Sequence, residues 1–111
     1  MEIIEVGMEK NMKIVSVKGR MDALSAPDFE KKMGDWADQG ETSFIINLGE
    51  VDYMSSAGLR SILIVAKNLK QQGGKLIFVN LREEVKKIFK ISGFSSMIPT
   101  YESVEAALEQ M

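Results

Sequence analysis

Two short apolar runs, "SFIINLG" at residues 43–49 and "KLIFVN" at 75–80, limit the fold more than any other feature of the chain. Neither alternates apolar with polar residues, as a strand with one wet face would. Each is apolar almost throughout and bounded by turn residues, which suits a strand buried on both faces. Strands of that kind belong to a sheet layered with helices. Between the two runs, Leu59, Ile62, Leu63, Ala66 and Leu69 recur at helical spacing, with Lys67, Lys70 and Gln71 on the polar side. The spacing predicts a helix over about 57–72, stopped by Gly73 and Gly74.

The flanking segments continue the pattern. Residues 2–8 read as an outer strand, 9–11 as a turn and 12–19 as a second strand, so 2–18 is predicted as a hairpin. In that second strand Met12, Ile14 and Ser16 share one side and Lys13, Val15 and Val17 the other. Apolar residues stand on both sides, so both should be covered. A helix follows, with Ser25 as expected N-cap, Pro27 in the first turn and Asp28 placed for a short capping box. Phe29, Met33 and Trp36 line its inner face, Trp36 as a core residue, and Gly40 ends it. Residues 82–93 form a further helix with Val85, Ile88 and Phe89 inward and Lys86, Lys87 and Lys90 on the wet side. "MIPTY" suits a short edge strand because of Pro99, and Ser103 caps a last helix through Leu108. The order β-β-α-β-α-β-α-(β)-α predicts an α/β fold: a mixed, mostly parallel sheet with right-handed crossovers and about four helices. The 111 residues fit one domain, 1–111.

The chain has no His and no Cys. That removes the Ser-His-Asp triad, thiol chemistry and the usual zinc ligands, and points away from an enzyme. No metal site and no cofactor are expected. Net charge is −2 with both signs interspersed, so no nucleic-acid partner is expected. Apolar residues are 45% and charged residues 27%, a globular balance without a membrane-length run or a signal peptide. The expectation is a cytoplasmic protein, and a monomer, since no large exposed apolar stripe is evident.

The join between the first buried run and the helix reads "VDYMSSAGLRSIL". Ser55 or Ser56 should cap the helix, and local sequence favours Ser56. One cap needs one serine, and here there are two. Gly58 carries no side chain in the first turn, which would open access to the backbone. A phosphate on a serine there would lie at the positive end of the helix dipole. Nucleophilic catalysis is unsupported: the segment is neither G-x-S-x-G nor a Walker loop, and no His is present to activate a hydroxyl. Asp52 reads as a turn residue, Tyr53 and Met54 as apolar neighbours of the loop or as core, and Arg60 as an exposed cation in the first turn.

The segment "VDYMSSAGLRSIL" resembles the phosphorylation-site region of bacterial anti-sigma factor antagonists, the STAS-domain family. "VKGRMDALSAPDFE" resembles the family's earlier motif, matched by Gly19, Met21 and Asp22. The resemblance implies that Ser56 is the phosphoacceptor, with Ser55 standing where the family usually has Asp and serving as a secondary acceptor. Asp22, Asp52, Met54, Ser55, Gly58 and Arg60 are the residues expected to face a partner. It further implies that the unphosphorylated protein binds an anti-sigma factor with serine kinase activity and frees a sigma factor. The kinase would use ATP to phosphorylate and release it, and a phosphatase would reset the cycle. The alternatives are a STAS-like interaction scaffold without a phosphoswitch, and a small enzyme relying on carboxylates or Lys.

Overall fold

The computed structural model describes residues 1–111. Its elements are β1 (Glu2–Glu9), β2 (Met12–Met21), α1 (Ala26–Asp38), β3 (Ser43–Met54), α2 (Ser56–Gln71), β4 (Lys75–Val79), α3 (Glu83–Ser92), β5 (Thr100–Tyr101) and α4 (Val104–Glu109). A 3-10 turn, Phe94–Ser96, lies between α3 and β5. The five strands form one sheet in the order β1-β2-β3-β4-β5. β1 and β2 are antiparallel, and every other pairing is parallel. The predicted hairpin, helices and mixed sheet are therefore all present.

The two apolar runs are continuous because the sheet is covered on both faces. Along β3, Phe44, Ile46 and Leu48 enter a large core with Phe29, Met33 and Trp36 of α1, Ile62 and Val65 of α2, and Val85 and Phe89 of α3. The alternate residue Ile45 faces the other way, where Met12, Ile14, Ile77 and Val79 pack with Ala107 of α4. Trp36 is core, as expected, and leans on Phe44 with ring centroids 5.9 Å apart.

Three readings need correction. First, β3 runs to Met54, past the predicted end at Gly49, so Asp52 is strand and not turn. The longer β2 supplies the missing ladder, pairing Gly19 with Val51, Arg20 with Tyr53 and Met21 with Met54. Second, Ser25 holds the N-cap position of α1 as expected, but its side chain makes no cap bond. Its hydroxyl donates to the Arg20 carbonyl (2.7 Å) and accepts from the Asp22 N–H (2.9 Å), which binds it into the preceding turn. Third, the capping box does not form, because the Ser25 N–H donates to Asp22 Oδ1 at 3.1 Å. Polar side chains before a helix have several backbone groups within reach, and sequence alone does not rank them.

β1 is an outer edge with unpaired backbone on one side. It carries Glu2, Glu5 and Glu9, and its register shifts between Glu5 and Gly7. Charge and irregularity of this kind discourage pairing with another chain.

Lys13 is 3% exposed on the face of β2 that α1 covers. Its ammonium lies 2.9 Å from Glu5 and 2.7 Å from Glu41, and 4.9 Å from the Trp36 ring centroid. Burial opposes its charge, but hydrogen bonds to the two carboxylates outweigh that and hold its pKa above a free lysine's. Its stabilising share is thus complete below the unfolded value and lost as pH rises through the folded one. Replacing Glu41 with Gln should lower stability by about 1–3 kcal/mol, because a buried cation loses a charged partner. Lys13→Met should cost less, since both glutamates reach water. Urea denaturation of the two variants tests the ranking.

Candidate functional site

The C-terminal ends of β2 and β3 lie side by side and both lead into helices. Ends of parallel strands are where α/β proteins commonly place their sites. The Ser55 N–H donates to the Met21 carbonyl at 2.9 Å, which ties the serine loop to β2. A Cβ on Gly58 would fall 2.6 Å from the same Met21 oxygen, so only glycine lets α2 start this close to β2. The space that Gly58 was expected to leave open for backbone access is filled by Met21.

The two serines divide their work. Ser55 is the N-cap: it has extended backbone, and its hydroxyl accepts from the Gly58 N–H at 3.2 Å. Ser56 is the first residue of α2 and is exposed. The preference for Ser56 as cap is therefore corrected by one position. The cap must precede the helix with non-helical backbone, and β3 extends to Met54, leaving Ser55 as that residue. Ser56 and Ala57 contribute first-turn N–H groups that no turn of helix precedes. Arg60 lies one turn further on and is exposed.

Beside the loop stands a second tight feature. Asp22 Oδ1 accepts from the N–H groups of Leu24 (3.0 Å) and Ser25 (3.1 Å), closing the turn between β2 and α1. The Ser25 N–H, opposed by partial burial and helped by the Leu24 N–H, the Ser25 hydroxyl and Arg20, holds the Asp22 carboxyl below its ordinary value. Arg20 Nε is 3.5 Å from Asp22 Oδ2, and its guanidinium lies 4.2 Å from the centroid of the Tyr53 ring. At the tip of the turn Leu24 is 90% exposed.

Of the six residues expected to face a partner, Asp52 and Arg60 are exposed, and Asp22 and Ser55 are partly so. Met54 and Gly58 are buried and support the loop from within. Sequence reasoning missed Arg20 and Leu24. The signal for Leu24 was present: it is a large apolar residue inside the turn "DALS", outside any helical or strand periodicity.

No group of three or more His, Cys, Asp or Glu is placed to hold a metal ion. No helix is long and apolar enough to cross a membrane. The two main clefts, of about 320 and 790 Å³, lie elsewhere, and no serine-loop residue lines either one.

Residues 4–107 match the model of the STAS domain. The BtrV protein of Bordetella bronchiseptica is 41% identical over 96 residues, covering 86% of this chain and 83% of that protein. The anti-sigma-B factor antagonist of Bacillus subtilis is 35% identical over 95 residues, covering 86% of each. The Bacillus cell fate determinant SpoIIAA, solved in its phosphorylated form, superposes with a TM-score of 0.75 at 20% identity, covering 98% of both chains.

Ser55→Ala should lower stability by about 1 kcal/mol through loss of the cap, while Ser56→Ala should leave it unchanged within about 0.5 kcal/mol. Thermal or urea melts of the pair check this. Because the Asp22 carboxyl is depressed in the folded state, its contribution is present above the unfolded value of about 3.8 and fades as pH falls through the folded value. Asp22→Asn should therefore flatten the loss of stability below about pH 4. Denaturation midpoints of both proteins across that range measure it.

Proposed function

The chain belongs to the STAS-domain family, and from that premise we propose that it is an anti-sigma factor antagonist whose grip on its partner is released by phosphorylation of Ser56. The observation that carries the switch is the separation of roles at the loop. Ser55 supplies the cap, so Ser56 is exposed and free of structural duty. A kinase could reach it without unfolding α2.

The chemistry of the switch then follows from charge. A phosphate adds about −1.5 to −2 charges and three strong acceptors at the start of a 16-residue helix. Within the chain it is welcome there, next to first-turn N–H groups and one turn from Arg60. The fold of phosphorylated SpoIIAA is consistent with such tolerance. At an interface the same group must be desolvated, and any partner carboxylate repels it. Loss of about 1.4 kcal/mol already weakens binding about 10-fold. The switch therefore acts on the complex and not on the fold.

The partner in this reading is an anti-sigma factor with serine kinase activity, with a phosphatase to reset the cycle. The surface offered to it combines Ser56, Asp22 and Arg60 with Asp52, Leu24 and the Arg20–Tyr53 pair. Buried Met54 and Gly58 set the shape of the loop. The exposed loop, away from both clefts, favours an interaction module over a carboxylate- or Lys-dependent enzyme.

Binding to a kinase-type anti-sigma factor encoded by the same genome tests the proposal by calorimetry. Wild type and Ser56→Ala should bind alike, and Ser56→Glu at least about 10-fold more weakly. With ATP and that kinase, mass spectrometry should find phosphate on Ser56. Phosphate on Ser55 would overturn the assignment, and equal binding by Ser56→Glu would leave a scaffold without a phosphoswitch.

A further inference from the structure

We propose that the groove along the open half of β4 is a docking site for an extended, acidic segment of a partner protein, which pairs with the backbone of Leu76. β5 has only two residues, and its register with β4 begins at Phe78↔Thr100. The N–H groups of Phe78 and Asn80 point to that edge and donate to Pro99 O (3.1 Å) and Tyr101 O (3.2 Å). The Lys75 N–H points the other way, to Thr42 O at 3.1 Å. Alternation along the strand therefore directs the N–H and C=O of Leu76 at the edge, two residues before β5 begins. β5 offers them no partner.

A cleft of about 790 Å³ opens at this place. Its walls include Leu63 and Ala66 of α2, Met97, Ile98 and Pro99 before β5, and Ala107 of α4. Met97 is 60% exposed. An added strand would send alternate side chains into these walls.

The charge of the rim selects the occupant. Lys67, Lys70 and Lys75 line the cleft, and no Asp or Glu does. None of the three lysines takes part in an ion pair within the chain. A strand alternating apolar residues with carboxylates sends the two kinds to opposite faces, so it fits with its carboxylates toward Lys67 and Lys70 of α2 and its apolar residues toward Ala107 of α4. The opposite edge of the sheet, β1, bears Glu2 and Glu9, with Glu5 held by Lys13, and would repel the same segment. Lys70 stands roughly 20 Å along α2 from Ser56, at about 1.5 Å per residue, so this site does not rest on the serine switch.

The test is titration of the full ¹⁵N-labelled chain with capped peptides of about ten residues that alternate Val with Glu, against counterparts alternating Val with Lys. The Glu peptide should shift the Leu76 amide and slow its hydrogen exchange, with binding that weakens as salt rises. Lys67→Glu, Lys70→Glu and Lys75→Glu together should reduce affinity at least about tenfold, with amide shifts in α1 and β2 unchanged to show an intact fold. Ser56→Glu should leave the affinity as it is. An unmoved Leu76 amide at millimolar Glu peptide would overturn the proposal and leave the lysines as guards of a bare edge. Equal binding of the Lys peptide would overturn it too. Shifts at Leu76 that depend on protein concentration without peptide would assign the groove to a second copy of the chain.

Discussion

The carbonyl oxygen of Met21 holds the candidate site together. It accepts the Ser55 N–H, and it occupies the volume that any Cβ at Gly58 would need. Through these two restraints the end of β2 fixes where β3 stops, where α2 starts and which serine becomes the cap. The Asp22 turn begins one residue later, so both loops take their position from one peptide group. A backbone restraint of this kind does not depend on side-chain rotamers, which suits a surface that has to be presented in a constant shape.

Most of the fold could be read from the sequence because burial leaves a regular pattern along each element. The runs "SFIINLG" and "KLIFVN" report burial on two faces, and the spacing of Phe29, Met33 and Trp36 reports a helix on one of them. The errors arose where pairing or local hydrogen bonds decided the outcome. Asp52 looks like a turn residue and is strand because β2 continues alongside that part of β3. Ser25 stands at the N-cap position as it looks, but its side chain is drawn into the Asp22 turn and caps nothing. The motif "SSAG" located the serine loop, but which serine caps depends on the last paired residue of β3, which the motif does not contain. Burial of Lys13 was equally hidden, since Glu5 and Glu41 come from distant parts of the chain.

The two surfaces of the molecule differ in kind. At the serine loop, recognition would rest on side chains around a rigid loop: an exposed leucine, a stacked Arg–Tyr pair and a hydroxyl whose charge is changeable. At the β4 edge it would rest on main-chain pairing with lysines to sort partners by charge. α2 touches both, contributing its first turn to one and Leu63, Ala66, Lys67 and Lys70 to the other. A rigid helix between them gives two partners fixed relative positions without requiring any conformational change.

The acidic, irregular edge of β1 has a consequence for the working concentration of the protein. On the proposed function, the protein acts by occupying a partner and must be present in amounts comparable to that partner. Abundance raises the hazard of sheet edges finding one another, and the hazard grows with the square of concentration. Glu2 and Glu9, with Glu5 already held by Lys13, place like charge on two copies of β1 at the distance where pairing would begin. An edge that resists self-pairing widens the range of concentration over which a regulator that acts by titrating its partner, as proposed above, could work.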